Sequence, residues 1–159
     1  SPTQLAVTLT ITNDTGTDLT VEAALHTYLS VGDIRQVRLD GFEGCSYLDM
    51  VPGADVGPHT QRGEIRFTGE TDRLFDHTGA AVLHDPAWDR TLTVSKQGSA
   101  NTVVCNPWAD KAARMADFGD DEWPGMLCIE AANVRASAIT LAAGSSHAMS
   151  QMITVGSLA

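Results

Sequence analysis

Leu5-Ala6-Val7-Thr8-Leu9-Thr10-Ile11-Thr12 runs directly into Asn13-Asp14-Thr15-Gly16. Leu5, Val7, Leu9 and Ile11 alternate with Thr8, Thr10 and Thr12, the period of two that sends successive side chains to opposite faces of a strand. Four turn-forming residues then stop it. The stretch from Leu19 to Val31 resumes as a second strand, so the two together predict a hairpin. Further strands are predicted at Val37 to Leu39, Glu64 to Phe67, Ala80 to Leu83, Arg90 to Ser95, Thr102 to Cys105, Met126 to Ala131, Ala138 to Ala142 and His147 to Val155. Gly, Pro, Asn and Asp separate them at the short intervals of sandwiches and barrels. One helical window stands out, Ala109 to Phe118, with Asp110 placed to cap a short helix in a connection. No repeat, low-complexity tract or Pro/Ser-rich linker divides the chain, so no internal domain boundary is expected in this all-β pattern.

A chain of 159 residues that is 43% apolar has enough material for one core without disulfide staples. Cys45, Cys105 and Cys128 are odd in number, widely spaced and set among apolar residues. They read as buried reduced thiols, with no disulfide framework and no zinc site of CxxC type. The formal charge of −10 repels nucleic acid and anionic membrane surfaces, so neither is expected as a partner. An anionic small ligand would require a local cluster of arginines. No stretch approaches the roughly 20 apolar residues that span a bilayer, and no basic segment followed by an apolar one opens the chain, which makes the cytoplasm the expected compartment. The chain begins at Ser1 and drops almost at once into a strand, as a fragment, a processed product or a shortened form would.

Three side chains stand out as chemically capable. His26, in Ala24-Leu25-His26-Thr27-Tyr28, lies inside the second strand on the face opposite Leu25; it is either a structural hydrogen-bonding residue or a proton donor that works near neutrality. Glu130 interrupts the apolar run Met126-Leu127-Cys128-Ile129-Glu130-Ala131. Facing inward, it would have its pKa raised by desolvation and act as a base; facing outward, it would be an ordinary edge-strand carboxylate. Asp72, in Glu70-Thr71-Asp72-Arg73, fits either a surface charge pattern or the recognition of sugar hydroxyls. Trp108 reads as a packing residue or a stacking platform, and Cys105 has no cationic neighbour in sequence to activate it as a nucleophile.

Taken in order, Ala24-Leu25-His26-Thr27-Tyr28, Thr71-Asp72-Arg73, Val104-Cys105-Asn106-Pro107-Trp108, Met115-Ala116-Asp117-Phe118 and Cys128-Ile129-Glu130-Ala131 resemble the aldose 1-epimerase superfamily, in the arrangement of its glucose-6-phosphate 1-epimerase branch. The resemblance covers nearly the whole chain. It implies an antiparallel β-sandwich of galactose mutarotase type, incomplete at its N-terminus, with residues 1–159 as the C-terminal part of that single domain. It also implies His26 as general acid, Glu130 as general base, Asp72 as a substrate-binding group and Asn106 to Trp108 as support for the pocket wall. The implied substrate is a sugar or sugar phosphate, interconverted between anomers without a metal or organic cofactor. The runner-up implications are an epimerase of a neutral aldose such as galactose and a non-catalytic carbohydrate-binding protein. Cys105 stands where the family often has an aromatic residue, and Leu29 where it often has Phe. Family members extend further at the N-terminus, where the phosphate-binding arginines and a second active-site histidine belong; an N-terminal complement of the same fold is therefore an expected partner.

Overall fold

The computed structural model describes residues 3–158. In chain order the strands are β1 (Gln4–Thr12), β2 (Leu19–Val21), β3 (Ala23–Leu25), β4 (Tyr28–Ser30) and β5 (Arg38–Asp40). There follow β6 (Ser46–Asp49), β7 (His59–Thr60), β8 (Thr71–Asp76), β9 (Ala81–Asp85), β10 (Arg90–Gln97) and β11 (Asn101–Asn106). A short helix, α1 (Trp108–Ala112), precedes β12 (Met126–Asn133), β13 (Ile139–Leu141) and β14 (Ser146–Ser157). No helix of the described residues is long and apolar enough to cross a membrane.

Two antiparallel sheets carry the fold. One has the order β1-β14-β10-β9-β5, and the other runs β3-β12-β11-β8-β6-β7 with β4 also paired to β12. The result is an all-β sandwich: the alternating pattern predicts the strands, and the family resemblance implies the sandwich rather than a barrel. Between the sheets, Leu127 and Ile129 of β12, Val104 of β11 and Phe75 of β8 pack with Leu83, Leu92 and Val94 from the opposite sheet. Burying each large apolar side chain contributes about 1.5–3 kcal/mol. In β12 the opposite parity, Met126, Cys128 and Glu130, lines a pocket on the outer face of the same sheet. Both faces of β12 are therefore covered, and all eight of its residues are buried.

The predicted hairpin does not form. β1 pairs with β14 over its whole length, whereas Leu19–Val21 pairs with Ile139–Leu141. Asn13 explains the difference. Its Oδ1 accepts from the Thr15 backbone N–H, which makes the local turn, while its Nδ2 donates to the carbonyl of Leu141. The buried amide thus fastens the turn to the segment that enters β14. A turn signal shows that the chain reverses, and the choice of partner strand belongs to long-range packing.

Other boundaries also move. The second strand is three short ones, with His26 and Thr27 in the gap between β3 and β4. Glu64 to Phe67 forms no strand; a single bridge joins Ile65 to Leu39. The helix ends at Ala112 rather than Phe118, and Asp110 lies within its first turn instead of capping it. Beyond it, Met115 and Phe118 turn toward the pocket on β12.

Candidate active site

The pocket is built by strand register. Asp72 of β8 lies opposite Cys105 of β11, Cys105 opposite Cys128 of β12, and Cys128 opposite Tyr28 of β4. Residues directly opposite in an antiparallel pair share a face. One row of four side chains therefore crosses four strands. Glu130 belongs to the next row, two residues along β12 from Cys128, with Val103 as its partner on β11.

His26 completes that second row from a place where no ladder bond is made. Leu25 lies opposite Ala131 and Tyr28 opposite Cys128, so the register is the same on either side of the gap. His26 consequently faces Glu130. Its Nε2 lies 3.3 Å from Glu130 Oε1, the histidine side chain being 50% exposed and the glutamate 6%. The imidazole stacks on Tyr28 with 4.7 Å between ring centroids. On the other face of the sheet, Thr27 donates to Gln151 Oε1 at 2.6 Å, which fixes the gap from beneath.

Burial pushes the Glu130 carboxyl up to about 7, with the negative charge of Asp72 adding to the rise and the Cys105 thiol opposing it. That thiol donates to Glu130 Oε1 at 3.9 Å. Burial also raises the Asp72 carboxyl; Lys111 opposes this, and the carboxylates of Glu70 and Asp49 reinforce it. Lys111 Nζ sits 3.7 Å from Asp72 Oδ2 and 3.4 Å from Glu70 Oε1. Among the described residues it is the only lysine or arginine lining the pocket. A hydrogen bond with Cys105, followed by burial, holds the Cys128 thiol far above its ordinary range and hence neutral.

The pocket wall between β11 and β12 hangs on Asn106, which is fully buried. Its Nδ2 donates to the carbonyls of Trp123 and Met126, both at 2.8 Å, and its Oδ1 accepts from the Trp108 backbone N–H at 2.8 Å. Trp108, with φ of 56°, turns away from the cavity and packs on Trp123. Its role is packing. Asn106→Ala would leave buried groups unsatisfied, each at about 1–3 kcal/mol. Urea unfolding of this variant is expected to show a loss of about 2–4 kcal/mol; a change below about 0.5 kcal/mol would mean the wall does not depend on this amide.

The three residues singled out from sequence, His26, Glu130 and Asp72, line one cavity of about 160 Å³. Sequence reasoning gave no individual role to Tyr28 or Lys111 and read Cys128 only as a buried reduced thiol. The parity of Cys128 with Glu130 was a usable signal for one of them; for the other two, only the strand pairing and the folding-back of α1 reveal the placement.

A buried carboxyl of raised pKa thus touches a half-exposed histidine in a pocket on one sheet of a β-sandwich, the combination of perturbed titratable groups and cavity that marks a candidate site. The aldose 1-epimerase family profile matches residues 1–154, and the chain belongs to that family. A relative from Cenchrus ciliaris named "Putative glucose-6-phosphate 1-epimerase" is 38% identical over 135 residues, which make up 84% of this chain and 40% of that protein. One of the same name from Salmonella typhimurium is 35% identical over 109 residues, 68% of this chain and 36% of the relative. The crystal structure of a "putative mutarotase" from Salmonella typhimurium superposes with a TM-score of 0.81 at 25% identity, covering 96% of this chain and 50% of that one. The chain thus spans half or less of the length of these relatives.

Proposed function

We propose that the protein interconverts the α and β anomers of an aldose, with Glu130 as general base, His26 as general acid and Asp72 as acceptor for a sugar hydroxyl. The observation that carries this reading is the 3.3 Å contact between His26 and Glu130. In a pyranose the anomeric hydroxyl O1 and the ring oxygen O5 are bonded to the same carbon, so an acid and a base that serve them must sit side by side. Glu130 takes the O1 proton while His26 protonates O5, and the C1–O5 bond breaks to give the open-chain aldehyde. Rotation about C1–C2 presents the other carbonyl face. Ring closure with both proton transfers reversed yields the other anomer, so acid and base return to their starting states.

A hexose 6-phosphate is the substrate this reading favours, on the strength of the relatives' names. The competing substrate is a neutral aldose such as galactose. It is favoured by a pocket in which two carboxylates, Asp72 and Glu130, meet a single lysine. Polarimetry of freshly dissolved α-glucose 6-phosphate and α-galactose separates the two. Faster decay of rotation with the phosphate ester supports the first; acceleration of galactose alone supports the second; acceleration of neither overturns the enzymatic reading.

The rate also depends on pH in a defined direction. Glu130 works as a base only when ionised, and its carboxyl is held up at about 7. Measured in buffer containing a chelator, exchange should fall as pH drops through that region, to about one tenth of its plateau one unit below it. A rate that stays flat from pH 5 to about 9 contradicts the assignment of the base.

A further inference from the structure

Four donor atoms converge beside the proton-transfer pair. One each from His26, Cys105, Cys128 and Glu130, they all lie within 4.8 Å of one another. Two of the separations are 3.3 Å, from His26 Nε2 to Glu130 Oε1, and 3.9 Å, from Cys105 Sγ to Glu130 Oε1. A tetrahedral ion with bonds of about 2.0–2.3 Å to nitrogen, oxygen and sulfur has edges of about 3.3–3.8 Å between its ligands. Both separations lie close to that range.

Their placement does not depend on a mobile loop. Cys105 and Cys128 are paired directly across β11 and β12, Glu130 follows on the same face, and His26 is held opposite it. Entry is open on the side of the half-exposed imidazole. Two thiols, an imidazole and a carboxylate form a donor set suited to a soft or borderline ion of d¹⁰ configuration. Magnesium and calcium, which select oxygen ligands, are disfavoured by the two sulfurs.

We propose that Cys105, Cys128, His26 and Glu130 form a binding site for a thiophilic divalent cation of the zinc–cadmium type, and that its occupation inhibits the enzyme. The inhibitory half rests on the reading of Glu130 and His26 as the catalytic pair, because a cation bound to both removes the base and the acid together. The binding half stands without it. Each cysteine binds as a thiolate, its proton passing to the buffer, and no atom changes oxidation state. Sugar and cation exclude each other, since both need the same carboxylate and imidazole.

Cadmium chloride titrated into the purified protein under a phosphine reductant tests the site by its thiolate-to-cadmium absorption in the ultraviolet. The expected result is saturation at one ion per chain. Cys105→Ser should weaken the band because one of the two thiolate donors is lost, replacing both Cys105 and Cys128 by Ser should abolish it, and Cys45→Ser should leave it intact because Cys45 does not line the pocket. His26→Asn, at an exposed ring whose loss does not threaten folding, should weaken binding by at least the roughly 10–100-fold that loss of an outer-shell partner costs a metal site. A band left unchanged by Cys105→Ser, a band that survives loss of both Cys105 and Cys128, or no band at one equivalent overturns the site. Anomer exchange followed in parallel should fall as the band grows and return on adding a chelator. Exchange untouched by saturating cadmium overturns the inhibition. A saturating band in a protein with no exchange activity when metal-free supports the site and overturns the mutarotase reading instead.

Discussion

Glu130→Gln is expected to slow anomer exchange by at least about 10²-fold and at the same time to leave the protein as stable as the parent, or more so, above pH 7. Glutamine matches glutamate in shape but cannot take the O1 proton. The stability half follows from the raised carboxyl, about 7 against an ordinary 4.5. A folded state that holds this proton more tightly than the unfolded chain draws stability from it that is fully present below about pH 4.5. That stability is lost as pH rises through about 7. At pH 8 the ionised, desolvated carboxylate therefore opposes folding, by up to ~3 kcal/mol. Replacing it with a neutral amide removes the opposition. Denaturant unfolding at pH 8 paired with exchange kinetics checks both halves, and a variant that keeps near-parental exchange, or is strongly destabilised at pH 8, contradicts the assignment.

His26→Asn is expected to match that rate loss, about 10²-fold, with a stability change within about 0.5 kcal/mol. The imidazole is half exposed, so its removal opens no cavity in the core. Asparagine is polar but has no acidic proton to give to O5. Because acid and base act in one step, the double variant should be little slower than either single one. Steady-state exchange rates for the three variants test this, and rate losses that multiply in the double variant would show two independent roles rather than one pair.

The strands were legible where polarity alternates, while the choice of sandwich over barrel rested on the family resemblance. Leu5 to Ile11, Arg90 to Ser95 and His147 to Val155 all lie in strands of one sheet. β8 was not legible, because Asp72, Arg73 and Asp76 mask a strand whose other positions, Thr71, Leu74 and Phe75, are buried. The charges are accommodated separately: Asp72 faces the pocket, while Arg73 lies over the Tyr47 ring. β6, with its mixed Ser-Tyr-Leu-Asp sequence, was missed for the same reason.

At the site, the individual residues could be picked from sequence and their mutual geometry could not. Glu130 was conspicuous as a carboxylate in an apolar run, and the structure shows it neither in the core nor in open solvent but buried in the pocket on the outer face of its sheet. The Cys105–Cys128 juxtaposition depends on the register of two strands joined by a long connection through α1, which no local pattern encodes. The same register places His26 opposite Glu130, although β3 and β4 are separated there by a break in the ladder. Proximity of the pair is thus a property of the sheet.

The most direct test of that pair is magnetisation exchange between the two anomeric protons of glucose 6-phosphate at equilibrium, measured by NMR with catalytic amounts of the protein in chelator-treated buffer. The parent protein should transfer magnetisation between the α and β signals faster than buffer alone, and Glu130→Gln should bring the rate at least about 10²-fold back toward the buffer value. Exchange that is accelerated equally by parent and variant would contradict the account.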